Sequence, residues 1–311
     1  MATDLTVVLA TYNRRPILER TLEALDAQSE RDFDIVVVDD GSSDDTWPWL
    51  QARAAQNPRL TVERQANAGQ GQARNRALRR VAGGLVLFLG DDIIARPELI
   101  SEHRAAHAAA DAEPGATAVV GFTDWHRAAL RVTPLLEMIN REGHQFGYGH
   151  MNAGAEVPFT CFYTSNISLP RALLGEAPFD SAFAEYGWED VELGYRLARD
   201  GLKILYHPQA AAEHLHAMDL PGVFARQRQV GRGIHTLLAL HPELADSPHL
   251  APSEAPRWQP LGRHLIPPLL PVLNAVDRAG LPLSKRLWHR VLMCGYYLGR
   301  DEASPQAAQP G

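Results

Sequence analysis

The chain has 311 residues, of which 45% are hydrophobic and 22% charged, a composition that fits a folded protein with at least one large core and excludes general disorder. Its net charge of -7 excludes the dense positive surface that nucleic-acid binding requires, so no nucleic-acid partner is expected. Its two cysteines, Cys161 and Cys294, lack the spacing of a disulfide framework or a zinc cluster.

Neither end of the chain suggests membrane insertion. Met1 is followed almost at once by a strand-like run, without the basic and long apolar regions of a signal peptide. Residues 265–273 are apolar, but they are few and include three prolines, so a membrane-spanning helix is not predicted. A cytoplasmic protein is expected, with peripheral contact at the inner face of a membrane left open.

The first ninety residues alternate between short apolar runs and helix-like segments. The predicted strands are residues 5–10, 33–38, 60–63 and 84–89, and the predicted helices are residues 16–28, 47–55 and 72–80. Continuous apolar strands that alternate with helices indicate a mostly parallel α/β sheet with helices on both faces.

The second half of the chain gives a weaker pattern. Further elements are predicted as a helix over 97–110, strands over 116–121, 164–169 and 202–206, and a helix over 191–199. The segment 133–158 is rich in Gly and His and is left unassigned. After residue 219 the pattern changes to helices interrupted by prolines. The predicted organisation is an α/β domain over 1–218, a helical C-terminal extension over 219–302, and a disordered tail over 303–311.

Acidic residues follow two of the predicted strands, where ligands of such sheets bind. Asp91 and Asp92 come directly after the fourth strand, and paired carboxylates at such a point favour a divalent cation such as Mg²⁺ or Mn²⁺. Helix capping is the alternative, although the next predicted helix begins five or more residues later. Asp39 follows the second strand and can accept hydrogen bonds from a ribose or a base, while Asp40 can make an Asx turn.

Glu189 and Asp190 open a predicted helix and form a second acidic pair. Successive helical residues point about 100° apart, so the two acids can serve different partners. One can act as the base that takes a proton from an attacking hydroxyl. The alternative is that both acids stabilise the helix N-terminus through the macrodipole.

Taken together, these motifs resemble family 2 glycosyltransferases of the GT-A fold over about residues 6–216. Five motifs occur in order: Thr11-Tyr-Asn-Arg14, Asp39-Asp-Gly-Ser-Ser-Asp44, Asn67-Ala-Gly69 leading to Ala73-Arg-Asn75, Gly90-Asp-Asp92, and Gly187-Trp-Glu-Asp190-Val-Glu-Leu193 with Arg196. The resemblance implies transfer of a sugar from a nucleotide-diphosphate-sugar donor to a hydroxyl of a saccharide, lipid-linked or small-molecule acceptor. It also implies a divalent metal, Mg²⁺ or Mn²⁺, and an inverting reaction.

The resemblance assigns roles residue by residue. The implied nucleotide-sugar contacts are Thr11, Asn13, Arg14, Asp39 at the base, Asn67, Arg74 near the phosphates, and Asp91 at the ribose or diphosphate. The implied metal ligands are Asp92 and His214, and the implied catalytic pair is Asp190 as the base with Glu189 beside it. The implied acceptor-side residues are Asn166 and Trp188. Gly90 stands where many members have a further Asp. The missing carboxylate affects the implied contact with the ribose rather than the implied metal site. For Arg74 a solvated helix face is an alternative, and for Trp188 a place in the core.

Two neighbouring activities and one non-enzymatic role are weighed against this interpretation. Gln229-Val-Gly-Arg232 resembles half of the Gln-x-x-Arg-Trp motif of processive synthases, but Gly233 replaces the Trp, so polymer extrusion is not expected. A sugar-1-phosphate nucleotidyltransferase would begin with a Gly-rich basic signature in place of Thr11-Tyr-Asn-Arg14. A non-catalytic nucleotide-sugar-binding module would have no need for both Asp92 and Asp190.

Overall fold

A computed structural model of the chain describes residues 4–110, 116–183, 187–247, 249–250 and 255–303. Its strands are β1 (Leu5–Thr11), β2 (Asp34–Asp39), β3 (Leu60–Arg64), β4 (Leu85–Leu89), β5 (Ile93–Ala95), β6 (Thr117–Trp125), β7 (Glu156–Val157), β8 (Asn166–Pro170) and β9 (Lys203–His214). Its α-helices are α1 (Arg15–Asp26), α2 (Thr46–Ala54), α3 (Gln70–Leu78), α4 (Leu99–Ala110), α5 (Pro134–Arg141), α6 (Glu189–Arg199), α7 (Leu220–Leu240), α8 (Gln259–Arg278) and α9 (Lys285–Glu302).

The strands form one sheet in the order β3-β2-β1-β4-β8-β6-β9-β5, with β7 paired to β9. The β3-β2-β1-β4 part is parallel, as is the long β6–β9 pairing. The predicted α/β fold with a mostly parallel sheet is therefore confirmed. The sequence did not indicate that β8 would insert antiparallel between β4 and β6.

Burial on both faces explains the continuous apolar strands. Val7, Val8 and Leu9 of β1 are all fully buried although they point alternately to opposite faces. One face of β1 packs with Leu18 and Leu22 of α1 in the main core cluster. The sheet is thus fixed in register by apolar packing from both sides.

The chain divides into two compact units. The first comprises residues 1–130, 151–184 and 189–216 and contains the sheet; the second comprises residues 131–150, 185–188 and 217–311 and contains α5 and α7 to α9. The helical C-terminal part is confirmed, while the domain boundary at residue 218 stays a prediction. Residues 304–311 of the predicted tail lie outside the described residues.

The segment left unassigned by the sequence contains α5 in the second unit. Thr133 caps this helix by accepting a hydrogen bond from the Leu136 N–H, and Pro134 occupies the first turn. Buried Asp277 of α8 accepts a hydrogen bond of 2.8 Å from the Leu135 N–H. Within the described residues, no helix is long and apolar enough to cross a membrane.

Helices α7 and α9 pack closely because glycines remove side chains from their contact. A Cβ at Gly231 would overlap the carbonyl oxygen of Tyr296, and a Cβ at Gly299 would overlap that of Arg228. Both positions have ordinary helical backbone angles, since neither is among the glycines with positive φ. Close approach of the two backbones, rather than backbone freedom, therefore requires Gly there.

We expect Gly231→Ala to destabilise the protein by about 1–3 kcal/mol, because the added methyl must push the two helices apart. Without that clash, Ala in a helix would stabilise it by about 1 kcal/mol relative to Gly. Urea unfolding followed by circular dichroism measures the difference. Gly175→Ala is the control, because its Cβ would meet no atom within 4 Å. Equal midpoints for the two variants would contradict the close contact.

Candidate functional site

The parallel strands bring the predicted polar clusters to one edge of the sheet. Thr11 and Asp39 are register partners at the ends of β1 and β2, and Asp91 follows β4, which also pairs with β1. The Thr11 hydroxyl donates a hydrogen bond of 2.8 Å to Asp91 Oδ2. The side chains that follow three different strands thus meet at the carboxyl end of the sheet, as predicted for a ligand site.

Arg14 bridges the two carboxylates that follow β4. Its Nη1 lies 3.1 Å from Asp91 Oδ1 and 2.7 Å from Asp92 Oδ2. Thr21 of α1 donates a hydrogen bond of 2.8 Å to the Asp91 carbonyl, which ties this turn to the helix that follows Arg14. Two adjacent carboxyl groups therefore share one guanidinium. A cation bound to the acids would compete with Arg14 for them, and a phosphate would compete with the acids for Arg14.

The two acids have opposite pKa shifts. Burial, followed by repulsion from Asp92, raises the pKa of Asp91 to about 6 against the opposing effects of Arg14 and Thr11. Burial also acts to raise the pKa of Asp92, but attraction and hydrogen bonding from His214, together with Arg14, outweigh it and hold that pKa below its usual range. Asp92 is thus the carboxylate that stays charged and can serve a cation.

Two histidines complete the surroundings of Asp92. His214 Nε2 lies 3.3 Å and His216 Nδ1 lies 3.5 Å from Asp92 Oδ2. Strand pairing places them, since Ile93 of β5 is the register partner of His214 and the Leu215 N–H donates to the Asp92 carbonyl. Trp125 stacks on the His214 ring at 5.2 Å between ring centroids. The described residues nevertheless contain no group of three His, Cys, Asp or Glu side chains arranged to hold a metal ion unaided.

The loop after β2 is shaped by its own acids. Asp39 is fully buried; its Oδ1 accepts from the Ser42 N–H at 3.1 Å and its Oδ2 lies 3.1 Å from Arg64 Nε. Asp40 accepts hydrogen bonds from the N–H groups of Ala68 and Gly69. The contact between Asp39 and a base stays a prediction, with the Arg64 guanidinium beside this carboxylate.

Asn13 supports the same loop from the β1 side. It adopts a positive φ of 54°, and its Oδ1 accepts hydrogen bonds from the N–H groups of Ser43 and Asp44. Asn67 is exposed on the neighbouring segment that Asp40 holds in place. These two predicted nucleotide residues thus flank the loop, one as a support and one at its surface.

Arg74 is buried, which excludes the solvated helix face, while its assignment to the phosphates stays a prediction. It is only 6% exposed, and its Nη1 lies 3.4 Å from Glu189 Oε1. Gln70 donates to the same Glu189 oxygen and accepts from Arg74 Nη2. The guanidinium also lies over the Phe179 ring. Arg74 therefore neutralises a buried acid at the start of α6 and does not face solvent.

That ion pair distinguishes the two acids at the start of α6. Glu189 is 3% exposed and is engaged by Arg74 and Gln70. Asp190 Oδ1 accepts a hydrogen bond of 2.8 Å from the Val191 N–H. Burial, followed by repulsion from Glu189, raises the pKa of Asp190 to about 7 against the attraction of Arg74. A carboxyl group with a pKa near 7 suits proton transfer at neutral pH.

Asn166, whose place on the acceptor side stays a prediction, has a structural role in the fold. The residue is fully buried in β8. Its Oδ1 lies 2.9 Å from His103 Nε2, and its Nδ2 donates to the carbonyl of Ala210 at 3.0 Å. Burial lowers the pKa of His103 to about 3, so this network is held together by a neutral imidazole. Both ends of the amide are thus engaged, one by α4 and one by the sheet.

Trp188 belongs to the second unit and packs on α7. Its Nε1 donates a hydrogen bond of 2.7 Å to the Val230 carbonyl, and its φ of 88° is rare for a bulky residue. A Cβ at Gly233 would lie 2.8 Å from Trp188 Cδ1. Gly233, which replaces the Trp of the synthase motif, therefore makes room for Trp188.

Sequence reasoning missed several residues of the site. Arg64 and Gln70 contact predicted residues but belong to no motif that the sequence singled out as functional, and His216, like His207, was visible in the sequence only as a further imidazole near His214 without an assigned role. For His216, its spacing two residues from His214 along one chain segment was the available signal, because alternate residues of an extended segment face the same side. For Arg64 and Gln70 no local pattern indicated the contact.

A mostly parallel sheet covered by helices, with polar residues at the carboxyl ends of its strands, is the architecture of α/β proteins that bind ligands at that edge. Residues 6–165, a little over half of the chain, match the model of Glycosyl transferase family 2. The chain therefore belongs to glycosyl transferase family 2, as its motifs predicted.

Among curated relatives, the validoxylamine A glucosyltransferase of Streptomyces hygroscopicus subsp. jinggangensis (strain 5008) is 31% identical over 220 residues, covering 64% of this chain and 52% of that protein. The chain thus spans about half the length of this relative.

Solved structures with the same fold include the mannosyltransferase PcManGT from Pyrobaculum calidifontis in complex with GDP-Man and Mn²⁺. The two structures superpose with a TM-score of 0.58 at 20% identity, and the match covers 99% of this chain and 78% of that chain. Another is TarS 1-349 of S. aureus in complex with UDP, with a TM-score of 0.54, 16% identity, and coverage of 99% and 92%. These likenesses confirm the GT-A fold.

We expect Arg74→Gln to destabilise the protein by about 3 kcal/mol, because it leaves the buried Glu189 carboxylate without its cation. Adding Glu189→Gln to Arg74→Gln removes that charge and is expected to restore part of the loss. Urea unfolding of the two single variants and the double variant gives the coupling between them. Arg76→Gln is the control: Arg76 pairs with Glu63 at the surface, so its loss should cost less than about 1 kcal/mol. Additive losses would contradict the Arg74–Glu189 pairing.

Proposed function

We propose that the chain is an inverting glycosyltransferase that moves a sugar from a nucleotide-diphosphate-sugar donor to an acceptor hydroxyl with the help of Mg²⁺ or Mn²⁺. The observation that carries this proposal is the cluster at the sheet edge, in which Arg14, His214 and His216 converge on one oxygen of Asp92 beside Asp91. Family membership supports the reaction class, and the names of the solved neighbours support a nucleotide-sugar donor.

The residues around Asp92 fit a divalent cation that binds together with a diphosphate. A charged carboxylate and the buried imidazole of His214 are donors that suit Mn²⁺, and Mg²⁺ commonly binds through one or two carboxylates plus substrate phosphates. Because no described trio of acidic, His or Cys side chains forms a metal site alone, phosphate oxygens and water are the expected remaining ligands. When bound, the ion supplies positive charge that stabilises the leaving diphosphate.

The chain's own residues would hold the donor at the same edge. Arg14, about one-third exposed in its side chain, can turn from the two acids to a phosphate oxygen when a metal ion takes up their charge. The loop supported by Asn13, Asp39 and Asp40 would receive the nucleoside, with exposed Asn67 beside it. Thr11 fixes Asp91, so that this carboxyl can meet the ribose or diphosphate.

Asp190 would act as the base that accepts the acceptor's proton. Inversion by direct displacement requires one such base as the hydroxyl oxygen attacks the anomeric carbon. Glu189 is committed to Arg74 and Gln70, so its role is to raise the pKa of Asp190 and to fix the start of α6. A saccharide or lipid-linked acceptor is proposed, and Trp188 remains the candidate aromatic surface for its ring.

The metal role of Asp92 can be tested by ligand-induced stabilisation. A panel of UDP, GDP and dTDP with Mn²⁺ should raise the melting temperature for the nucleotide that the donor carries, because bound ligand stabilises the fold by about 2.7 kcal/mol at 100 times Kd. In Asp92→Asn the Mn²⁺-dependent part of that rise should disappear, each variant being compared with itself without ligand. Asp45→Asn, at an exposed position after the loop, should keep it. An undiminished Mn²⁺ effect in Asp92→Asn would remove this residue from the metal site.

The base role of Asp190 gives a pH dependence with a definite sign. The carboxylate must be ionised to accept a proton, so kcat should fall as the pH is lowered through about 7, where this group becomes protonated. Asp190→Asn should lower kcat by about 10²-fold or more while retaining nucleotide binding. Release of nucleotide diphosphate measures both effects, and Asp200→Asn at the end of α6 is the control. Unchanged turnover in Asp190→Asn would exclude the assignment, and a wild type that binds but never turns over would indicate a non-catalytic module.

A further inference from the structure

Helix α8 of the second unit has a face of large apolar side chains exposed to solvent. Leu261 is 65% exposed, Leu265 51%, Leu269 49% and Val272 59%. Their spacing of four, four and three residues places them along one side of the helix. We refer to these four residues as the apolar face of α8. Isolated exposed Leu residues are common, but an aligned set on one helix indicates a surface that binds a membrane or another protein.

The neighbouring side of α8, turned about 100° from the apolar face, is the one that packs within the second unit. Gly262 and Asp277 are buried there, with Ile266, Leu270 and Leu273 half-buried between them. The helix therefore already has an inward apolar side, and the exposed apolar face is additional to it. Pro268 and Pro271 are also exposed and add apolar rings beside the face.

The region that contains α8 and α9 has an excess of cations. Residues 255–303, all of which the structure describes, contain seven Lys or Arg residues and three carboxylates, Asp277, Asp301 and Glu302; Asp277 is 1% exposed and bonded to the Leu135 N–H. Lys285 pairs with Glu142, and Arg263 lies 3.9 Å from Asp301. The other exposed cations are Arg257, Arg278, Arg286 and Arg290. This region is basic in a chain whose net charge is -7.

An exposed apolar helix face in a region with an excess of exposed cations matches the chemistry of an anionic lipid surface. The Leu and Val side chains can enter the acyl boundary, while Lys and Arg contact the headgroups. A second copy of this chain fits less well, because a symmetric contact would bring the same cations of both copies together.

We propose that the apolar face of α8 docks the protein on the surface of a membrane that contains anionic lipid. The helix lies in the plane of the interface. This docking is a property of the second unit and is independent of the transfer reaction, so it can be tested without activity.

Co-sedimentation of the full chain with vesicles tests the docking. Vesicles of phosphatidylcholine mixed with phosphatidylglycerol should carry the protein down, and vesicles of phosphatidylcholine alone should carry much less, with the difference reduced by salt. The double variant Leu265→Gln/Leu269→Gln should partition at least about tenfold less, because two buried Leu side chains are lost from the lipid. Leu240→Gln, at an exposed Leu of α7, is the matched control and should bind as the wild type does.

A second variant separates charge from apolar insertion. Arg278→Gln/Arg286→Gln/Arg290→Gln should lose most of the preference for phosphatidylglycerol while it keeps the weak binding to phosphatidylcholine. Melting temperatures close to that of the wild type show that the variants are folded, as expected for exposed positions. Absence of sedimentation of the wild type with both vesicles overturns the docking. A dimer in light scattering that the double Leu variant abolishes, without vesicle binding, overturns it in favour of a second copy.

Discussion

The candidate site depends on one electrostatic arrangement, the guanidinium of Arg14 between the carboxylates of Asp91 and Asp92. Two adjacent acids that are almost buried repel one another and lose hydration, so they persist at a strand end only beside compensating charge. The result is one carboxyl group with a raised pKa and one that stays ionised. The fold supplies this arrangement, because β1 positions Arg14 and the neighbouring β4 positions the acids.

A second arrangement of the same kind occurs at the start of α6. There Arg74 compensates Glu189, and the neighbouring Asp190 carries the raised pKa. Arg14 bridges both acids of the first pair, whereas Arg74 pairs with Glu189 of the second; in both places one acid carries a raised pKa. Opposite pKa shifts, as at Asp91 and Asp92, are a common basis for assigning separate roles to two carboxyl groups.

The sequence predicted the parts of this structure that local patterns determine. Apolar strands that alternate with helices predicted the sheet, and the rule that strand ends meet at one edge brought Thr11, Asp91 and Asp92 together before the structure was known. The places of Arg74 and Asn166 could not be predicted, because each is buried by partners more than sixty residues away in the chain, Glu189 and His103 respectively. A charged or amide side chain has no local signature that distinguishes a buried, satisfied position from a solvent-facing one.

The contact between Trp188 and Gly233 gives a structural reason for a departure from a sequence motif. In the chain Gly233 stands where processive synthases have Trp, which by itself suggested only the loss of a feature. In the second unit the space above Gly233 is taken by the indole of Trp188, which is fixed by its hydrogen bond to the Val230 carbonyl. An indole is therefore present against α7, but it comes from the residue that precedes Glu189. The φ of 88° at Trp188 is rare for a bulky residue, so packing on α7 and the hydrogen bond to Val230 hold the indole in place against an unfavourable backbone conformation.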